Sequence, residues 1–152
     1  RGEIKATAAM MRRAYDAGVP ILCGSESGFA LTPYGNWHAR ELEVFVQELG
    51  LTPVEAITCA TKNNAYAMRM NGRLGIVAEG YCADVIVVEG DPAADITVLQ
   101  DRANLRAVIS RGRSVDLTQP WPERGRLPGE KVSNWADEIL TYERAVTARG
   151  GR

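Results

Sequence analysis

The sequence predicts an α/β fold that ends in a small layer of short strands. Three observations predict it. A helix, a glycine and an apolar strand occupy residues 3–23, two amphipathic helices occupy residues 37–49 and 53–72, and short apolar segments separated by turns follow Gly72. Because most of the helical sequence precedes the strands, the pattern indicates two structural units.

The first helix and strand form half of a parallel α/β unit. Residues 3–17 carry apolar side chains at three- and four-residue spacing, and Gly18 is placed to end the helix. Residues 19–23 contain no polar side chain, which is typical of a strand that is buried on both faces. Such a strand requires parallel neighbours, and no other part of the sequence reads as one.

One carboxylate follows this strand directly. Residues 24–28 read Gly-Ser-Glu-Ser-Gly, and the glutamate is Glu26. A strand that ends in a loop with an acidic residue is how α/β enzymes place catalytic groups at the rim of a sheet. The same residues also suit a glycine-rich turn with a hydrated glutamate. The local pattern leaves both interpretations open.

Two helices come after the loop 24–36. The first covers about residues 37–49, with its apolar side chains on one face. The second begins at residues 52–55, Thr-Pro-Val-Glu, whose threonine can cap the helix, whose proline suits the first helical position and whose glutamate reaches back to the cap. We expect a kink near Asn63-Asn64 and an end at Gly72.

Short strands and turns follow the helices. The predicted strands are residues 74–77, 83–88, 105–109 and 114–115.

Charged residues stand at the turns between these strands. Asp84, Asp91 and Asp95 are expected to bind nearby backbone N–H groups. Arg111 and Arg113 flank a hairpin turn and are expected to face solvent.

Composition limits the possible partners. The net charge of −1 and a pI of about 5.9 argue against nucleic acid or an anionic membrane. No apolar run approaches the roughly 20 residues of a membrane span. Cys23, Cys59 and Cys82 form no Cys-x-x-Cys pair, and we interpret them as reduced core residues of a cytoplasmic protein. Because the chain begins at Arg1 and not at methionine, we expect residues upstream.

The order of several motifs is more specific than any one of them. The motifs are residues 24–28, the Arg-Glu-Leu of residues 40–42, Leu-Thr-Pro-Val-Glu-Ala-Ile at 51–57, Ala-Thr-Lys-Asn-Asn-Ala at 60–65, Leu-Gly-Ile-Val-Ala-Glu-Gly at 74–80, Ala-Asp-Val-Ile-Val-Val at 83–88, and Gly-Asp-Pro at 90–92. In this order they resemble the C-terminal portion of the metal-dependent amidohydrolase superfamily. The similarity is greatest to the branch of imidazolonepropionase-like enzymes and Xaa-Pro dipeptidases, and it covers about residues 4–115.

The resemblance implies a fold for each part of the chain. Residues 1–72 would be the last strand and closing helices of a (β/α)₈ TIM barrel, and residues 73–116 part of the amidohydrolase β-sandwich. The other barrel strands would belong to a missing N-terminal part of the same protein. Residues 117–152 lie outside the resemblance and read as a proline-rich arm with a helix at about 134–148.

The resemblance also implies a function, namely metal-dependent hydrolysis of C–N bonds in a small molecule. Glu26 stands where the family has an aspartate that binds the metal and accepts a proton from the metal-bound water. The implied cofactor is a divalent metal, with zinc as the first candidate. Its other ligands are expected upstream, because His38 is the only histidine of the chain. This chain alone is therefore expected to be inactive.

The departure from aspartate leaves an alternative open. Glutamate is one methylene longer, and a shift of that size at a tuned site can cost on the order of 10²-fold in rate. Glu26 could then be structural, and the chain a non-catalytic binding or assembly module. A homo-oligomer is also compatible with the sequence.

Five residues around the loop are candidate substrate contacts on the family layout: Ser25, Ser27, Tyr34, Trp37 and His38. The serine hydroxyls could instead satisfy nearby backbone groups, and the histidine could be a surface residue of a helix's first turn. Arg40 and Glu41 are expected to be helix-surface or helix-packing residues and not catalysts.

Overall fold

The computed structural model describes residues 2–27 and 37–118, which form a helical part followed by a small antiparallel sheet. The helices are α1 (Gly2–Asp16), α2 (His38–Leu49), α3 (Pro53–Thr58) and α4 (Asn64–Ala67), with a π-helical turn, Cys59–Asn63, between the last two. Two 3₁₀ segments, Ile96–Gln100 and Arg102–Asn104, precede the second strand. The strands are β1 (Val85–Val88), β2 (Leu105–Ser110) and β3 (Arg113–Ser114). Predictions that concern residues 28–36 and 119–152 lie outside the described residues.

The apolar core lies where α1, α2 and α3 meet. Helix α2 contributes Leu42, Phe45 and Leu49, whose three- and four-residue spacing places them on one face. Ala8 of α1 and Ala56 of α3 pack against them. The helices predicted at 3–17 and 37–49 are therefore confirmed, to within a residue or two at their ends.

A buried carboxylate joins the helical part to the segment before β2. Glu43 of α2 accepts hydrogen bonds from Gln47 at 2.6 Å, from Gln100 at 2.6 Å and from Arg40. Gln100 ends a 3₁₀ segment whose first residue, Ile96, is in the core. Because a buried charge without partners is costly, this network holds the 3₁₀ segment to α2.

The predicted capping box at the start of α3 is confirmed. The Thr52 hydroxyl accepts a hydrogen bond from the Glu55 backbone N–H, and the Glu55 carboxylate accepts one from the Thr52 N–H at 2.7 Å. The expected kink corresponds to the π-helical turn, which interrupts the helix before Asn64.

The helix ends at Ala67 and not at Gly72 as predicted. The Met70 N–H bonds to the Ala65 carbonyl at 2.8 Å and the Arg69 N–H to the Tyr66 carbonyl at 2.9 Å. Arg69 itself is left-handed, with φ 56°. These are the bonds of a Schellman motif, so backbone geometry stops the helix without a glycine.

The sheet is a three-stranded antiparallel meander in the order β1-β2-β3. Val85 pairs with Ile109 and Ser110 with Arg113. Arg111 and Gly112 have φ of 50° and 75°, as a type I′ hairpin requires. The predicted strands at 83–88, 105–109 and 114–115 are thus confirmed, with small changes of boundary.

The turn predictions are also confirmed. Asp91 accepts a hydrogen bond from the Ala93 N–H at 2.9 Å, and Asp95 accepts one from the Thr97 N–H at 2.9 Å. Asp84 accepts the Arg111 N–H of the hairpin turn at 2.8 Å. Both hairpin arginines are exposed.

The prediction of a strand at 74–77 is wrong. Residues 74–76 form bends, Val77 has no regular structure, and Gly75 has φ 90°. Gly75 lies directly against the π-helical turn, because a Cβ at this position would be 2.8 Å from the Thr61 carbonyl oxygen. The glycine is required for this contact and not for a strand.

Residues 19–23, predicted as a strand buried on both faces, do not form one within the described part of the chain. Ile21 is 8% exposed, but Val19 and Leu22 are 51% and 45% exposed. None of the three strands formed by the described residues includes 19–26. The helices cover one side of the segment, and the other side is exposed because no strand of residues 2–27 and 37–118 lies against it.

Gly75→Ala should destabilise the protein by about 2 kcal/mol, because it combines a left-handed backbone with a contact that a methyl group would overfill. Gly80→Ala is the matched control, since Gly80 has φ 84° but nothing within 4 Å of its Cβ position. Urea unfolding measures both variants. Equal losses of stability would show that packing against the π-helical turn contributes nothing.

The capping box should make stability depend on pH. Hydrogen bonds from the backbone N–H and hydroxyl of Thr52 hold the pKa of Glu55 below its usual range. The stabilisation is therefore complete above the unfolded-state pKa of about 4.3 and is lost as pH falls through the lower folded-state pKa. Glu55→Gln should be less stable than the parent near neutral pH, and the difference should shrink in acid. Urea unfolding across that range tests this, and a difference that is constant with pH would contradict it.

Candidate functional site

The predicted site lies where the segment 24–27 meets the first turn of α2. The Ser25 hydroxyl is 2.7 Å from the Ser27 hydroxyl and 3.0 Å from Nδ1 of His38. The structure therefore brings together three of the predicted substrate contacts. The two serines flank Glu26 in the sequence, and His38 contacts the first of them. Both serines are half-buried, whereas Glu26 and His38 are exposed.

Glu26 has a backbone conformation that is unusual for its residue type. Its φ is 48°, in the left-handed region. Residues other than glycine adopt this region at a cost of order 1–3 kcal/mol, and such residues cluster at binding and catalytic sites. The surrounding contacts must therefore stabilise the conformation of Glu26.

Two asparagines bind the backbone just before this loop. Nδ2 of Asn63 donates to the Ile21 carbonyl at 2.9 Å. Asn64 binds Cys23 twice: its Oδ1 accepts the Cys23 N–H at 3.1 Å, and its Nδ2 donates to the Cys23 carbonyl at 2.9 Å. The amides thus satisfy backbone groups that a neighbouring strand would satisfy in a sheet.

Glu41 of α2 binds the same segment from the other helix. Its Oε1 accepts the Gly24 N–H at 3.0 Å, and its Oε2 accepts the Cys23 thiol at 3.2 Å. Glu41 was expected to be a surface or packing residue, and its partners show that it packs against the loop. We refer to Glu41, Asn63 and Asn64 together as the backbone clamp.

Sequence reasoning missed the asparagines of the backbone clamp and interpreted them only as a kink. The sequence did contain a signal for these contacts. Asparagine is a poor helix former because its side chain competes for backbone hydrogen bonds, so two in succession within a helix indicate that the side chains have partners. The sequence did not indicate that the partner was the segment 21–23.

Burial and Glu41 keep the thiol of Cys23 protonated. Burial, followed by the hydrogen bond to the Glu41 carboxylate, raises the pKa of Cys23 to about 12. Burial also raises the pKa of Cys59. All three cysteines are free, but Cys82 is exposed, so its assignment to the core was wrong.

The other residues considered near the site are Trp37, Tyr34 and Arg40. Trp37 is half-buried and precedes α2, and its side chain makes no capping hydrogen bond. Tyr34 lies outside the described residues. Arg40 donates to Glu43, as expected of a helix-packing residue.

The donor groups of the described residues do not make a metal site by themselves. Within residues 2–27 and 37–118, no group of three or more His, Cys, Asp or Glu side chains could hold a metal ion. Glu26 has a carboxylate of the kind that can bind a metal, and the described residues supply no set of three such groups around it.

Comparison with known proteins identifies the family. The sequence profile of the Amidohydrolase family matches residues 3–115. The chain belongs to the amidohydrolase family. The resemblance inferred from the order of the motifs is thereby confirmed, and family membership supports a hydrolytic function in general.

Named relatives lie on the expected branch. Ochratoxinase from Aspergillus niger is 36% identical over 118 residues, which cover 76% of this chain and 24% of that protein. Imidazolonepropionase from Desulfotalea psychrophila is 34% identical over 70 residues, covering 46% and 17%. The crystal structure of a Xaa-Pro dipeptidase with bound methionine in its active site superposes with a TM-score of 0.60 at 32% identity, covering 71% and 25%.

The chain spans about a quarter of the length of the ochratoxinase and dipeptidase chains that it matches. Within the described part, no helix is both long enough and apolar enough to cross a membrane.

The contact between Cys23 and Glu41 predicts a difference in thiol reactivity. Because the thiolate is the nucleophile, Cys23 should react with iodoacetamide at about pH 8 far more slowly than the exposed Cys82. Glu41→Gln removes the negative charge and should speed alkylation of Cys23 but not of Cys82. Peptide mass spectrometry over time measures both rates. An unchanged rate at Cys23 would contradict the contact.

Proposed function

We propose that the full-length protein containing this chain is a metal-dependent hydrolase of C–N bonds in small molecules. Candidate substrates are cyclic amides, dipeptides and urea- or carbamate-like compounds. The proposal rests on one observation above all: a family member carries an exposed carboxylate, Glu26, in a left-handed conformation within a loop that the backbone clamp and His38 hold.

Glu26 is proposed to act as the proton shuttle and as one metal ligand. When bound, a divalent metal, zinc in the first instance, lowers the pKa of a water molecule toward ~7. Glu26 accepts a proton from the attacking water and returns it to the leaving nitrogen as the C–N bond breaks. One proton is taken up and released, so the carboxylate is regenerated.

The neighbouring hydroxyls and the imidazole are proposed to contact the substrate. Ser25, Ser27 and His38 form a hydrogen-bonded row beside Glu26. Such groups can both donate and accept hydrogen bonds, which suits an amide or carbamate. Trp37 adds an apolar surface at the start of α2.

The rest of the enzyme is proposed to lie outside this chain, in a (β/α)₈ barrel that residues 19–23 complete as the last strand. Two observations support this. Val19 and Leu22 are exposed along a segment with an apolar sequence, and Ile4, Met10 and Val44 expose large apolar side chains on α1 and α2. Barrel strands and helices of the full-length protein would cover them, so we expect these 152 residues alone to be inactive.

The second candidate is a non-catalytic binding or assembly module of amidohydrolase type. The observation that favours it is glutamate at the position where the family has aspartate. In this case the exposed apolar residues would contact a partner or a second copy of the chain.

Glu26→Gln in the full-length protein tests the enzymatic proposal. The variant keeps the size and most hydrogen bonding of the side chain but cannot accept a proton. With zinc, manganese or cobalt and amide or dipeptide substrates, we expect kcat to fall by about 10² to 10⁴.

Glu79→Gln is the matched control, since Glu79 is an exposed glutamate in a turn far along the chain. It should keep the parent's turnover. Full turnover in Glu26→Gln would show that the assigned mechanism is wrong, and a parent with no turnover on any of these substrates would favour the non-catalytic module.

A further inference from the structure

One peptide unit in the candidate site is held at both ends by side chains. The unit between Cys23 and Gly24 presents its carbonyl to Nδ2 of Asn64 at 2.9 Å and its N–H to Oε1 of Glu41 at 3.0 Å. Because a peptide unit is planar, two hydrogen bonds from opposite sides fix the orientation of that plane. Asn64 also binds the N–H of Cys23, which extends the restraint to the preceding unit.

This restraint acts where the chain would otherwise be most free. Gly24 has no Cβ and is exposed, and nothing lies within 4 Å of its Cβ position. Glycine loses more conformational freedom on folding than any other residue, so packing against Gly24 cannot set the direction of the loop. The side chains of the backbone clamp must do it.

The restraint continues to the residue next to Glu26. Ser25 bonds to His38, and Gly24 bonds to Glu41. His38 and Glu41 are three residues apart on α2, so they lie on the same face of its first turn. One helical turn therefore holds the two residues that lead into Glu26.

We propose that Asn64 and Glu41 are positioning residues that set the place of the Glu26 carboxylate by fixing the Cys23–Gly24 peptide unit. The role of this carboxylate in hydrolysis rests on the proposed function, whereas the restraint on the peptide unit does not. Since a misplacement of about 1 Å can cost 10²-fold in rate, loss of a positioning residue should reduce turnover without any change in the groups that touch the substrate.

Asn64→Asp in the full-length protein tests the proposal. The substitution keeps the size of the side chain and one oxygen acceptor, but it replaces the donor to the Cys23 carbonyl by an oxygen. Glu41→Ala removes the acceptor of the Gly24 N–H, so it tests the restraint from the other helix and serves if the first variant does not fold. Asn104→Ala is the matched control, because Asn104 is half-buried and its Nδ2 binds the Val98 carbonyl at 2.9 Å near the sheet.

The first measurement is hydrogen exchange of the backbone amides of residues 23–26 in the metal-free protein. We expect about 10- to 100-fold faster exchange in Asn64→Asp and Glu41→Ala, with no change at these amides in Asn104→Ala. Unchanged exchange in both clamp variants would overturn the proposal. This result does not depend on any enzymatic activity, so it separates failure of the restraint from failure of the proposed function.

The second measurement is steady-state kinetics of the metal-loaded protein. We expect kcat to fall by about 10- to 100-fold in the clamp variants with little change in KM, as for other residues that orient a reacting group. Asn104→Ala should lower the urea midpoint and leave kcat unchanged. Faster exchange with an unchanged kcat, or an equal loss of kcat in the control, would show that the clamp is only structural.

Discussion

The hydrogen bonds between helical side chains and the backbone of residues 21–24 are the interaction on which the site depends. In a segment outside helices and sheets, the backbone N–H and C=O groups need other hydrogen-bond partners. Asn63, Asn64 and Glu41 provide them here, from the π-helical turn, α4 and α2 respectively. Without these bonds, the backbone that leads into Ser25 and Glu26 would not be held in position.

The two asparagines of the backbone clamp lie where the π-helical turn meets α4. Both contact the segment 21–23, although neighbouring side chains on a helix diverge by about 100°. The turn Cys59–Asn63 ends at the first asparagine, and α4 begins at the second. π-Helical turns occur frequently at functional sites. The close approach of Gly75 to Thr61 covers the other side of this turn.

Under the proposed function, the described residues would supply one part of a larger site. Family membership, a carboxylate at a loop, and a polar row of Ser25, Ser27 and His38 are consistent parts of a hydrolase. The described residues do not include a set of metal ligands, and the chain spans about a quarter of the ochratoxinase that it resembles. Under the proposal, these residues would contribute one acid, Glu26, in a short loop that several hydrogen bonds restrain.

Features that depend on neighbours in the chain could be predicted from the sequence. The capping box at Thr52 and the Asp91 and Asp95 turns each need partners two or three residues away. The helices α1 and α2 follow from apolar spacing, and the Arg111-Gly112 hairpin from its turn residues. The position of Glu26 after an apolar segment was also evident, although its backbone conformation was not.

Only the tertiary structure decided the contacts between distant residues. Asn64 binds Cys23 across 41 positions, and Gln100 binds Glu43 across 57. The sequence indicates that a polar side chain needs a hydrogen-bond partner. It does not indicate which distant segment provides that partner in the folded chain. The same reason accounts for the wrong strand at 74–77 and for the uncovered segment at 19–23, since an apolar run becomes a buried strand only where other strands lie beside it. Neighbouring residues determine local backbone geometry, whereas burial and long-range hydrogen-bond partners depend on how the whole chain folds.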